Sequence, residues 1–261
     1  MSQARLYTTQ LQAGLGLAEE TQRLFELYEP GMRSPQLFTK ALESGQFPLI
    51  SARRLDNIVR ECFAPRYLRR PGVVEALKRL LPQLERDERL QVMLLHTARA
   101  NSILADFIRE VFWSLYTSGR DSLSREDALE FIENAVREGK TQKPWSEGTV
   151  RRMTGYLLSA CADFGLIENK RSGSRRLYSV HLSTRVATYV AYDLKFQGLG
   201  DNQVLNHLDW QLFGLERSDV REQFKRLSLE GHLIMQTAGD VTQISWQYKK
   251  MEEVIDVLAR Y

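Results

Sequence analysis

The sequence predicts a mainly α fold, a helical N-terminal bundle followed by two units that each end in a short β-hairpin, and three observations predict it. Residues 1–140 place apolar side chains at three- and four-residue spacing between breaks where Gly and Pro cluster. Residues 146–180 read as a capped helix, a glycine stop, a short apolar strand, a basic turn and a second strand. The same order returns beyond residue 183, where Gly231 and Gly239 stand 66 residues past Gly165 and Gly173. That layout belongs to winged-helix or helix-turn-helix-like units, and it divides the chain into residues 1–120, 121–182 and 183–261.

In the first part, the breaks at Pro30-Gly31, Ser44-Gly45, Phe47-Pro48, Pro65, Pro71-Gly72 and Ser118-Gly119 leave helical stretches over 21–28, 35–43, 51–63, 73–81, 88–96 and 102–116. Ser124 then caps a helix, with Asp127 three residues on in capping-box position and Phe131, Ile132, Ala135 and Val136 facing inward. The next helix begins at Glu147. Ser146 is its N-cap, Glu147 suits the positive end of the dipole, and Trp145 can staple onto Val150. Val150, Met153, Leu157, Cys161 and Phe164 form its buried stripe, Arg151, Arg152, Gly155 and Ser159 its outer face, and Gly165 closes it.

Leu166 and Ile167 open a strand that leads to Lys170-Arg171-Ser172-Gly173-Ser174-Arg175-Arg176, after which Leu177, Tyr178 and Val180 resume an apolar pattern. Glycine at a hairpin tip permits positive φ, and four cations around it make a finger suited to phosphate. Further on, helices over 185–196 and 201–213 precede a helix capped by Ser218 with Val220, Phe224 and Leu227 inward. Gly198 closes one helix and Asp201 caps the next. Leu233-Ile234-Met235, the turn Ala238-Gly239-Asp240 and residues 241–246 make the second hairpin, whose turn has no cation. The outer side of its helix carries Arg217, Arg221, Lys225 and Arg226, and this unit reads first as a packing or protein-binding element.

The formal charge of +3 conceals an uneven distribution. Residues 143–185 hold eight Lys or Arg against three Asp or Glu, residues 1–142 hold 20 against 19, and residues 186–261 hold 8 against 11. Within this basic middle, the run at 170–176 follows a capped amphipathic helix that bears two more arginines, which points to nucleic acid. Arg151 and Arg152 are candidates for base or phosphate contact, with Lys170, Arg171, Arg175 and Arg176 supplying charge. A second arginine-rich stretch starts at Ser51, whose helix terminus stands beside Arg53 and Arg54. That is one way to hold a phosphate, and ordinary solvated arginines are the equal alternative.

Other chemistries find no support in the residues. The four histidines are scattered without metal-ligand spacing, and no nucleophile elbow, phosphate loop or kinase set occurs. Asp106 and Glu110 flank Arg109, which suggests a local salt-bridge network. Gly198-Leu199-Gly200 lacks the preceding strand and third glycine of a nucleotide loop. The expectation is a chain with no catalytic residues, cofactor, metal or small-molecule substrate. Cys62 and Cys161 fall on apolar helical faces as reduced thiols, and no apolar run reaches the length of a membrane span, so a cytoplasmic protein is expected.

Thr9-x-Leu11-x-Ala13-Gly14-Leu15 with Glu20, Ser51-Ala52-Arg53-Arg54-Leu55 and Ala105-Asp106-Phe107-Ile108-Arg109-Glu110-Val111-Phe112 resemble the BrxA family of the BREX bacteriophage-exclusion systems, chiefly over residues 5–165. The resemblance implies a largely helical protein of antiviral defence that is associated with double-stranded DNA and with other BREX proteins. It carries over no catalytic residue. The expected function is therefore a non-enzymatic double-stranded-DNA-binding component, the alternative being an assembly adaptor that binds other defence proteins and touches DNA incidentally.

Overall fold

The structure is a computed structural model that describes residues 6–11, 18–238 and 241–260. Ala13, Gly14 and Leu15 of the first motif and Gly239 and Asp240 of the second turn lie outside the described residues. The chain is mainly helical, with two small antiparallel two-stranded sheets. It divides into two compact units, one of residues 1–78 and 96–179, the other of residues 79–95 and 180–261.

The first unit begins with α1 (Ala18–Leu27), α2 (Ser34–Glu43) and α3 (Ala52–Asn57). Ser51 caps α3, its hydroxyl accepting from the Arg54 amide at 3.3 Å. Pro65 does not end this helix. The chain runs on from α3 as a π-helix over Ile58–Leu68, whose wider turn relieves the clash a proline ring makes inside an α-helix. Phe25, Phe63 and Tyr67 pack here with ring centroids 4.8 to 5.1 Å apart. Then come α4 (Val73–Leu80) and α5 (Arg86–Ala100), each of which gives residues to both units. Next is α6 (Ser102–Phe107), continued by a π segment over Ile108–Phe112 into α7 (Trp113–Thr117).

A two-residue strand, β1 (Ser122–Leu123), precedes α8 (Arg125–Arg137) and α9 (Glu147–Asp163). The capping box of α8 forms: Ser124 Oγ accepts from the Asp127 amide at 3.1 Å, and Asp127 Oδ2 accepts from the Ser124 amide at 2.7 Å. α8 packs along α9, and α6 also touches α9. Tyr7 is threaded against this pair, its amide donating to the Lys140 carbonyl at 2.7 Å and its hydroxyl to Asp106 at 2.9 Å. Asp106 also pairs with Arg109 at 3.5 Å, one link of the local network the sequence suggested.

In the second unit, residues 79–95 accompany α10 (Thr184–Phe196), α11 (Asp201–Leu205), a 3₁₀ turn over Leu208–Phe213, α12 (Arg217–Leu229), β3 (Leu233–Ala238), β4 (Val241–Trp246) and α13 (Met251–Leu258). Arg185 is its hub, donating to Glu88 at 3.1 Å and to the Gln83 and Leu258 carbonyls at 2.9 and 2.8 Å. Two expected caps differ. Glu216, not Ser218, occupies the N-cap of α12, because the Asp219 carboxylate reaches back to the Glu216 amide at 2.9 Å. Gly200 occupies the N-cap of α11, and Asp201 instead accepts from the Ile244 amide at 2.8 Å and the Trp246 indole at 3.0 Å.

Candidate nucleic-acid interface

The helix expected from Glu147 forms as α9, with Ser146 Oγ accepting from the Thr149 amide at 3.3 Å. Val150, Met153, Leu157 and Cys161 are buried as expected, joined by Thr154, Leu158 and Ala160, while Phe164 is only half-buried. The helix stops in a Schellman arrangement. Gly165, at φ 71°, donates to Ala162, and the Leu166 amide reaches the Cys161 carbonyl at 2.9 Å. Burial drives the Cys161 thiol up to about 12, with Asp163 adding to the effect, so it stays an inert packing group.

After that stop the chain enters the basic finger. The expected apolar strand and its return are joined by one antiparallel bridge, Ile167 to Leu177, and by bonds from the Glu168 amide to the Arg176 carbonyl at 2.8 Å and the Tyr178 amide to the Leu166 carbonyl at 2.9 Å. The other edge of the return strand pairs elsewhere. β2 (Arg175–Arg176) is antiparallel to β1, Ser122 opposite Arg176 and Leu123 opposite Arg175. The strand does not run on to Val180. Gly173 sits at the tip with φ 78°.

The four cations of the finger are thus gathered on one loop. Lys170, Arg171 and Arg176 are exposed and Arg175 half-buried, and none makes an ion pair among the described residues. Arg175 only reaches the Gly173 carbonyl, at 3.5 Å. Arg151 and Arg152 are exposed near the start of α9, about 18 Å along the helix axis from its end at 1.5 Å per residue. They are less free: Arg151 pairs with Glu147 one turn back, and Arg152 donates to Thr149 Oγ1 at 3.3 Å. An exposed pair of this kind contributes about 0.3 to 0.5 kcal/mol, so a phosphate can displace it. Arg53 and Arg54 are exposed on the first turn of α3, far in sequence from α9 and the finger.

A further cation belongs beside Arg151. Arg125 opens α8, is exposed, and donates to the Arg151 carbonyl at 3.1 Å. Its place right after the cap Ser124 was the available signal. Among the described residues, no three His, Cys, Asp or Glu groups gather to hold a metal ion, and no helix is long and apolar enough to cross a membrane. A family model described as BrxA matches residues 5–193, ending inside α10. No curated protein matches the chain. With close to three quarters of its length covered, the chain belongs to the BrxA family, and with that family goes an association with BREX phage defence.

Proposed function

We propose that this protein is a non-enzymatic double-stranded-DNA-binding component of BREX phage defence, working in the cytoplasm with other BREX proteins. Residues 121–182 act as a winged helix in which α9 enters the major groove and the finger at 170–176 lies on phosphate or in the minor groove. The order of elements supports this reading: a helix, β1, α8, α9 and then a hairpin whose return strand lies between β1 and Ile167. The observation that carries it is the finger itself, four cations with no acidic partner among the described residues on a loop with nothing else to hold. Arg151, Arg152 and Arg125 add contacts from the helices, and Arg53 and Arg54 are offered as a separate phosphate contact. Residues 1–120 form the supporting bundle and residues 183–261 a second winged-helix-like unit.

Each phosphate neutralised adds about 0.9 to the slope of log affinity against log salt. Arg175→Ala with Arg176→Ala therefore flattens that slope by about 1.8 in a duplex titration at several salt concentrations. An unchanged slope removes the finger from the interface. The second unit favours an adaptor as the alternative reading, because Leu229 is 87% exposed and Leu208 and Ile234 are more than half exposed there. Co-purification with other defence proteins and intact immunity after loss of the six cations on α9 and the finger would support the adaptor and count against the DNA reading.

A further inference from the structure

The arginines between Ser51 and Arg70 do not behave as one patch. Arg66 is buried, Arg53 and Arg54 point from the first turn of α3, and Arg60 and Arg69 line a cavity of about 360 Å³ together with Arg33 and Ser34 at the start of α2. The π-helix brings the last two arginines together. Nine residues make two and a half turns of an α-helix, which would put Arg60 and Arg69 on opposite faces. With the roughly 4.4 residues per turn of a π-helix, the same nine residues make about two whole turns and put them in line.

Three arginines thus line one pocket, and no carboxylate lines it. Arg60 holds Asp56 through Nε at 2.5 Å, which leaves its two terminal nitrogens for another partner. Arg33 and Arg69 are exposed, and neither side chain has an ion-pair partner among the described residues. The first turn of α2 contains no acidic residue, so its dipole adds to the positive potential instead of being neutralised. Pro65, Leu68 and Met32 supply an apolar wall. The volume of this open pocket is at the small-ligand end of binding sites. Guanidinium groups are matched to phosphate by their paired donors.

We propose that this cavity binds the terminal phosphate of a nucleotide, with Arg33, Arg60 and Arg69 on the phosphate oxygens and the apolar wall against the sugar or base. The inference does not rest on the finger or on groove binding. Calorimetric titration of the full chain with ADP, and duplex binding with and without a 5′-phosphate, test it and separate a free nucleotide from a strand end. Arg33→Ala with Arg69→Ala, both surface changes with little effect on folding, should weaken ADP at least tenfold or abolish the preference for the 5′-phosphorylated duplex. Arg175→Ala with Arg176→Ala should leave both intact while altering the salt slope. If neither ADP nor the 5′-phosphate binds, or if binding is unchanged in the Arg33/Arg69 variant, the proposal is overturned, whatever the finger does.

Discussion

The hairpin around Gly173 and the hairpin from Leu233 to Trp246 follow the same succession of helix and strand, yet they are fastened in different ways. The first is joined to its neighbours by a two-pair ladder, one bridge and a few amide bonds, and its residues are given over to cations. The second has a six-pair ladder from Leu233–Trp246 to Ala238–Val241, and its root is gripped from three sides. The Tyr192 hydroxyl donates to the His232 carbonyl at 2.5 Å and accepts from the Gln247 and Tyr248 amides at 3.0 and 3.3 Å. Asp201 holds the Ile244 amide and the Trp246 indole, and Lys195 stands 5.5 Å over the Trp246 ring. A loop proposed to reach a polyanion keeps few internal ties, whereas a loop that completes a core acquires them. The difference teaches that shared topology does not carry shared chemistry.

The largest test removes the grip on the second hairpin. Tyr192→Phe keeps the edge-to-face contact with Trp246 but strands the buried His232 carbonyl and takes a partner from two part-buried amides, and should cost about 2 kcal/mol in urea unfolding without changing the salt slope of DNA binding. A cost below about 0.5 kcal/mol would mean that the hydroxyl is not an anchor. A smaller effect is expected at the tip of the first hairpin. Gly173→Ala meets no neighbouring atom within 4 Å, so its penalty is the positive φ alone, about 1 kcal/mol, read as roughly fivefold faster hydrogen exchange at the Glu168 and Tyr178 amides. Unaltered exchange would show a tip that relaxes freely.

Acid should separate the two regions more gently. Burial holds His232 below the ordinary histidine range despite the opposing Glu230 carboxylate, so the folded state prefers the neutral ring. Its contribution is complete above the unfolded value near 6.5 and is lost as pH falls through the lower folded value. In the first unit, burial pushes the Asp127 carboxyl up, but bonds from Ser124 and Arg120 more than offset it and bring it below 3.8. That contribution survives until pH falls below the ordinary aspartate value. Between about pH 6 and 4, amide signals of β3 and β4 should weaken before those of α8, and simultaneous loss would contradict this order.

Much of this was legible in the residues. Ser124 with Asp127, Ser146 with Glu147, and the glycines at 165 and 173 mark local geometry that no distant contact has to arrange, and each forms as read. β1 was not legible, because two residues carry no periodicity and the strand exists only through pairing with residues 175–176. Asp201 was misread for a related reason: a carboxylate beside a helix start looks like a cap until a strand 43 residues away claims it. The cavity of Arg33, Arg60 and Arg69 was hidden by the α-helical period itself, which assigns its members to different faces. The split of residues 79–95 from their sequence neighbours depends wholly on tertiary packing.

That split makes the C-terminal third a structural dependency of a segment made a hundred residues earlier. A polypeptide ending at Ser179 would retain the finger but leave Glu88 without Arg185 and Ser183, Arg79 without Asp256, and Leu84, Val92, Leu94 and Leu95 without the rest of the body to which they belong. Ribosomal synthesis therefore delivers this stretch long before its mates emerge, and it waits as an amphipathic segment with its apolar face uncovered until α10 to α13 have left the exit tunnel.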